Sequence, residues 1–521
     1  MAGARGGLFL LVGVLYCFIA LERAVGLEFT RSDFPSDFVF GSATSSYQVE
    51  GAAAEDGRSP SIWDTYVHSG RMPDNSTGDV AADGYHKYKE DVKLMADMGL
   101  EAYRFSISWS RLIPDGRGKV NPKAVEYYNN LIDELVKYGI EIHVMLYQLD
   151  LPQVLEDEYE GWLSSKIIDD FTAYAHVCFR EFGDRVKHWT TLAEPNIIGI
   201  GSYDSGLWPP SHCSNPFGVI NCTIGNSTVE PYIVVHNLLL SHASVYNLYR
   251  AKYYELQRGM VGINVYSFWF YPFSDSSSDK VAAKRYGDFF IGWIIDPVTS
   301  GDYPSVMKKI VGSRLPAFTE QESENLKGAF DFIGLNHYTS LYIKDDSNNT
   351  NSGLRDFNAD TFTKISTTND TEPDDQYDPD PSNLVPDPDG LEYLLEYLKT
   401  TYDNPPLYIQ ENGLGLPSNS TLVDKARIDY VSGFIGSTLT AIRNGANVRG
   451  YFVWSFIDLF EYLAGYETTF GLFSVDFESE ERTRTPKLSA HWYTDFLRNN
   501  GTISTTDLSS VAFSPSHLFV S

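Results

Sequence analysis

Positive charge is scarce. Lys and Arg number 40 against 69 Asp and Glu in 521 residues, a formal net charge of -29 and a pI near 4.7. That balance argues against a partner made of nucleic-acid phosphates. It suits an acidic compartment, where some carboxylates are protonated and self-repulsion falls. Downstream of the N-terminus no apolar run is long enough to cross a bilayer. There is no short-period repeat, no true low-complexity tract and no Gly-rich phosphate loop after the first strand-like stretch. His176, His188, His236 and His242 lie in helix-like or strand-like text without a ligand cluster and read as structural histidines. No metal and no cofactor is expected.

Cysteine is equally sparse, at four. Cys178 reads as a buried helical thiol without a partner. Cys213 and Cys222 flank an Asn/Pro/Gly-rich loop and can close it as a disulfide in an oxidising compartment. Cys17 falls in a segment that points to such a compartment. Arg5 precedes the apolar run Leu8 to Leu21 and then Ala24-Val25-Gly26, the layout of a cleaved secretory signal over residues 1–26. Seven Asn-x-Ser/Thr sequons, at Asn75, Asn221, Asn226, Asn348, Asn369, Asn419 and Asn500, fall in polar, turn-rich text and predict N-glycosylated surface loops. The terminus Leu518-Phe519-Val520-Ser521 is not a Lys-Asp-Glu-Leu type retention signal, so residence in the endoplasmic reticulum is not expected.

What the chain does have is apolar material, 43% hydrophobic and 14% aromatic, ample for a large core. Strand-like text alternates with helix-like text, the signature of βα units. Candidate strands are Phe38–Ser42, Tyr103–Ser106, Ile142–Leu146, Lys187–Leu192, Val261–Val265, Phe332–Asn336, Leu407–Gln410 and Arg449–Trp454. Amphipathic stretches between them include Tyr85–Met98, Ala124–Tyr138, Ile167–Phe182, Tyr232–Tyr254, Leu391–Tyr402 and Val423–Arg443. Eight such units predict an α/β fold, a (β/α)8 TIM barrel, as a single domain over residues 27–521 with long loop insertions. An open doubly wound sheet is the alternative. The insertions, Cys213–Val229 and Tyr342–Pro388, are expected at the barrel mouth.

Two carboxylates stand at strand ends. Glu411 closes the seventh candidate strand, before Asn412-Gly413, and Glu194 closes the fourth, in Leu192-Ala193-Glu194-Pro195-Asn196. Strands four and seven of a barrel face each other across its mouth, so the two groups can converge. Two facing carboxylic groups suit glycoside cleavage: one protonates the leaving oxygen while the other attacks or activates water. Like charges so close cannot both ionise easily, so one pKa rises and that group becomes the acid.

With these motifs in hand the chain resembles the family-one retaining β-glycosidases, the plant β-glucosidases in particular, from about Phe34 to Leu497. The resemblance is carried by Phe38-Val39-Phe40-Gly41-Ser42-Ala43-Thr44-Ser45-Ser46-Tyr47-Gln48-Val49-Glu50-Gly51-Ala52, Arg104-Phe105-Ser106-Ile107-Ser108-Trp109-Ser110-Arg111, Glu194-Pro195-Asn196, Asn336-His337-Tyr338, Glu411-Asn412-Gly413 and Trp454-Ser455-Phe456-Ile457-Asp458-Leu459-Phe460-Glu461, in the family's order. It implies Glu194 as acid/base and Glu411 as nucleophile, with Arg104 and Tyr338 orienting the nucleophile and Asn336 supporting its side. Gln48 and Glu461 match residues that bond glycone hydroxyls, Trp454 the ring beneath the sugar, and Phe470 a pocket-wall aromatic. The implied substrate is a small β-glucoside and the implied destination the apoplast or the vacuole. No nucleic acid and no membrane partner after signal cleavage is expected.

Three departures matter. Ala193 replaces the family's Asn before the acid/base, Gln148-Leu149 replaces His-Trp, and Tyr462 replaces the Trp after the glycone-binding Glu. The Gln148 amide can still donate to a sugar hydroxyl. Both glutamates remain, so a sugar-binding protein without turnover is disfavoured. The stretches Glu156–Trp162 and Ser202–Gly206 are similar to plant members that act as acyl-glucose-dependent transglucosidases, passing glucose to phenolic or flavonoid acceptors through the same intermediate. Transfer is therefore the alternative to hydrolysis.

Overall fold

A computed structural model describes residues 29–348, 353–370 and 385–498. The expected signal at 1–26 and the sequon at Asn500 lie outside the described residues. Eight parallel strands form the frame: β1 Val39–Ala43, β2 Ala102–Ser106, β3 Glu141–Tyr147, β4 His188–Leu192, β5 Met260–Pro272, β6 Ile333–Asp345, β7 Leu407–Asn412 and β8 Val448–Trp454. Their hydrogen-bonded order is β5-β4-β3-β2-β1-β8-β7-β6, and β5 also pairs with β6, which closes the ring. The strands are buried on both faces, which is why they read as apolar runs rather than as alternation. Helices Gly84–Met98, Pro122–Lys137, Lys166–Phe182, Glu230–Lys252, Pro388–Thr401 and Lys425–Arg443 follow the strands in the chain. Pro122 opens its helix where a missing N–H costs nothing, and the Asn121 side chain accepts from Lys123 N–H just ahead of it. The chain is a single-domain (β/α)8 barrel.

The barrel interior is filled by bulky rings fitted against glycines. A Cβ on Gly262 of β5 would lie 2.5 Å from the carbonyl oxygen of Phe332, and one on Gly41 of β1 would lie 2.4 Å from the Phe452 ring. Phe332, Phe452, Tyr408, Ala43 and Ala102 pack as one buried cluster there.

Two strands outrun their sequence-based limits. The reading ended the fifth at Val265 and the sixth at Asn336, whereas β5 and β6 run on together through Trp269↔Ser340 to Pro272↔Ile343. Their pairing continues beyond the rim, and Thr363–Ser366 adds an antiparallel edge on β6. The predicted loop from Tyr342 thus begins as strand. At the other long connection Cys213 and Cys222 are joined by a disulfide, with Cα atoms 5.4 Å apart. Cys178 is free and buried, and burial pushes its thiol up. The described sequon residues Asn75, Asn221, Asn226, Asn348, Asn369 and Asn419 are all exposed. No helix among the described residues is long and apolar enough to cross a membrane.

Gly262→Ala tests the interior fit. The clash is with backbone as well as with a ring, so it cannot be relieved by a rotamer change, and a loss of roughly 1–3 kcal/mol is expected. A lowered midpoint of thermal or urea unfolding is the readout.

Candidate active site

The C-terminal ends of the strands gather the polar groups. Glu411 is the penultimate residue of β7 and Glu194 lies two residues beyond β4; they are 4% and 7% exposed. Glu194 takes a left-handed backbone, φ 52 and ψ 54, unusual for a residue with a side chain. Such strain, of order 1–3 kcal/mol, persists only where the surroundings over-determine it. Here Glu194 N–H donates to Asn264 Oδ1 at 3.2 Å. Asn196 then ties the following turn to its neighbours, donating to the carbonyls of Tyr266 (2.9 Å) and Phe290 (3.2 Å).

Three donors converge on the Glu411 carboxylate. Arg104 Nη1 from β2 and Gln148 Nε2 from just past β3 both reach Oε1, at 2.6 and 3.0 Å, and Tyr338 Oη from β6 reaches Oε2 at 2.7 Å. The Arg104–Glu411 ion pair is almost wholly out of water, with side chains 1% and 5% exposed. Gly413 lets the chain leave: a Cβ there would lie 1.8 Å from the Trp454 carbonyl oxygen.

Glu194 is held differently. Its Oε1 accepts one side-chain bond, from Asn336 Nδ2 at 2.6 Å. The sequence reading put Asn336 on the nucleophile side. Its backbone does pair with Glu411, but its amide crosses to the other acid. The Asn336 Oδ1 accepts from Asn264 Nδ2 (2.7 Å), which also reaches Gln410 Oε1 (3.0 Å), and Gln410 Nε2 donates to Thr190 Oγ1 (2.7 Å). This buried chain across β4, β5, β6 and β7 fixes the direction of every amide in it, so Asn336 presents nitrogen to the acid. Burial pushes the Glu194 carboxyl well above the usual range, the Glu411 charge pushes in the same direction, and the Asn336 bond opposes both.

Beyond the two acids lies a second polar group. Gln48 Nε2 donates to the Phe460 carbonyl at 3.0 Å and reaches Glu461 Oε2 at 3.4 Å, and Trp454 Nε1 reaches the same oxygen at 3.4 Å. Glu461 titrates high, at about 8, first because of the protein packed around it and then because of Glu411. Trp454, Tyr338 and Phe470 belong to one buried aromatic cluster. Tyr462 donates through its hydroxyl to the Gln148 carbonyl at 3.3 Å.

At the opposite end of the barrel the structure gathers what the sequence left apart. Glu141, His143 and His188 bring ligand atoms within 4.8 Å of one another, so His188 does have possible co-ligands. The two imidazoles, however, stack with planes 2° apart and centroids 4.1 Å apart. Imidazole lone pairs lie in the ring plane, so parallel rings do not aim at one ion. Burial pushes both rings down to about 3. The arrangement is that of two stacked neutral rings, with His143 Nε2 on the Glu141 carboxylate at 2.9 Å.

Sequence reasoning missed Asn264, Gln410 and Thr190. The available signal was Asn264 between Ile263 and Val265, a polar residue inside a strand buried on both faces.

A closed parallel barrel with two buried, unequally supported carboxyls at its C-terminal rim defines a barrel protein with a two-carboxylate centre. The chain belongs to glycosyl hydrolase family 1, whose profile matches residues 30–502. It is similar to Beta-glucosidase 22 of Oryza sativa subsp. japonica, 63% identical over 92% of this chain and 90% of that one. It is also similar to a cyanidin 3-O-glucoside 7-O-glucosyltransferase (acyl-glucose) of Delphinium grandiflorum, 56% identical over 92% of this chain and 93% of that one. Among solved structures, a mutant rice Os3BGlu6 β-glucosidase in a covalent complex with Glc superimposes with a TM-score of 0.86 at 45% identity, over 90% of this chain and 99% of that one.

Glu411→Gln tests the cause of the Glu194 shift. Removing the neighbouring charge should lower the Glu194 titration, followed by carboxyl-carbon NMR, while Asn336→Ala should raise it. An unmoved Glu194 in Glu411→Gln would assign the whole shift to burial.

Proposed function

We propose that the chain is a retaining β-glucosidase that releases glucose from small β-glucosides through a covalent glycosyl-enzyme. The observation that carries this reading is the inequality of the two acids: Glu411 has a guanidinium and two neutral donors on it, while Glu194 has one amide and is pushed up. Glu194 gives its proton to the glycosidic oxygen as that bond breaks, and Glu411 attacks the anomeric carbon. Once Glu411 is an ester its charge is gone, and one of the causes holding Glu194 high goes with it. Glu194 then takes a proton from the incoming water, whose oxygen displaces Glu411 with a second inversion. Gln48, Glu461 and Trp454 are the groups for the glycone. Because Glu194 must start protonated, activity falls as pH rises through its raised pKa.

A second reading is supported by the Delphinium relative and by Ala193, which leaves no side-chain donor beside the acid. In it the same intermediate passes glucose from an acyl-glucose donor to a phenolic or flavonoid acceptor. The exposed sequons and the disulfide support a glycosylated protein of the secretory pathway, bound for the apoplast or the vacuole.

Glu411→Ala should lose more than about 10³-fold in kcat on 4-nitrophenyl β-glucoside, and NMR of the first product should show the β anomer. Wild-type turnover in Glu411→Ala, or the α anomer, would refute the mechanism. Offered an acyl-glucose donor with a flavonoid acceptor, a hydrolase gives mainly free glucose, and dominant transfer product would establish the second reading.

A further inference from the structure

Gln148 stands one residue past β3 and touches the nucleophile, Nε2 to Glu411 Oε1 at 3.0 Å. A carboxylate can only accept, so the amide must turn its nitrogen that way, which leaves its carbonyl oxygen on the other side. That oxygen is buried and meets no donor among the described residues. A buried acceptor without a donor is costly to maintain, and at the rim of a cleft that takes a sugar a ligand hydroxyl can supply one.

The backbone that carries the amide is also pinned. The Tyr462 hydroxyl donates to the main-chain carbonyl of Gln148, and the Tyr462 ring is packed against Trp63, with centroids 4.5 Å apart. Leu149, the next residue, sits at φ 69, so the turn that aims Gln148 depends on this packing. Tyr462 directly follows Glu461, so one loop carries both a glycone group and the anchor of Gln148. On the neighbouring strand end Ala193 presents only a methyl group. Arg104 and Gln148 on one oxygen and Tyr338 on the other hold the carboxylate in one plane; without Gln148 that plane can turn.

We propose that Gln148 is a positioning residue for Glu411, and that its free carbonyl oxygen accepts from a glycone hydroxyl beside the anomeric carbon, so that one amide couples sugar binding to nucleophile orientation. A hydroxyl donating to that oxygen polarises the amide and strengthens its N–H bond to Glu411. The inference rests on the glucosidase reading and assigns this chain's Gln148 and Tyr462 a joint part in it.

The test compares Gln148→Met, which keeps the length but neither donor nor acceptor, with Gln148→His, which keeps an N–H. Turnover of 4-nitrophenyl β-glucoside gives kcat and KM. Inactivation by a glucose-configured cyclitol epoxide, which keeps the hydroxyl beside the reacting carbon, reads the attack of Glu411 without turnover. Gln148→Met is expected to lose about 10²-fold in kcat and in inactivation rate, with a smaller rise in KM, and Gln148→His to recover about tenfold of that loss. A Gln148→Met enzyme within about threefold of wild type in both rates overturns the proposal. Should that variant fail to fold by circular dichroism, Tyr462→Phe decides: a fall in inactivation rate supports the coupling, and an unchanged rate overturns it. Failure of the wild type to turn over any glucoside would instead refute the glucosidase reading.

Discussion

The structure depends on one buried ion pair. Arg104 and Glu411 face each other across the barrel interior at 2.6 Å, both nearly out of water. Taking two such charges from solvent costs several kcal/mol per ion, and their attraction offsets this only where further hydrogen bonds complete the site. The carboxylate end is completed by Gln148 and Tyr338. The guanidinium is not: its Nε and Nη2 meet no acceptor among the described residues. A pair this demanding needs walls that do not yield. The parallel ring supplies them, with Gly41 and Gly262 admitting the Phe452 and Phe332 rings where no Cβ would fit.

Around that pair all eight strands contribute a group. Arg104 lies on β2, Asn264 on β5, Asn336 and Tyr338 on β6, Glu411 on β7 and Trp454 on β8, while Gln48, Gln148 and Glu194 stand just beyond β1, β3 and β4. A cooperative amide chain from Thr190 to Asn336 ends on Glu194. The same mouth therefore produces two chemically different carboxyls, one gripped by a cation and one left with a single neutral donor.

How much of this could be read beforehand follows from what each level encodes. Strand positions were legible because double burial demands apolar runs, and both acids were legible because they interrupt such runs at their ends. The extension of β5 and β6 was not, because beyond the rim Tyr266–Tyr271 mixes aromatics with Ser267, and only the mutual pairing of the strands shows that they continue. The aim of the Asn336 side chain was not legible either: its backbone pairs with Glu411, as the implied role on that side would allow, but its amide is turned to Glu194 by Asn264, a residue 72 positions away. The contact of Gln148 with Glu411 spans 263 positions and has no local signature. Glu141 and His143 lie two residues apart on one strand, and only the β3–β4 register brings His188 to them.

Hydrolysis and transfer diverge after the chemistry these residues determine. In the proposed mechanism, esterification of Glu411 removes the charge that helps raise Glu194, and the Asn336 bond, which favours the anion, remains. On that reading Glu194 is readied to take a proton from whatever hydroxyl lies above the anomeric carbon. Nothing in that step distinguishes water from a phenol, since both offer an O–H to the same base. The choice of acceptor must then lie with what occupies the mouth, and the long connections that end the strands there are the disulfide-closed loop through Cys213 and Cys222 and the β5–β6 extension with its edge strand Thr363–Ser366. Two proteins with the same carboxyl pair can thus differ in reaction while sharing every bond at the nucleophile, because the pair determines that the intermediate forms and the mouth determines what ends it.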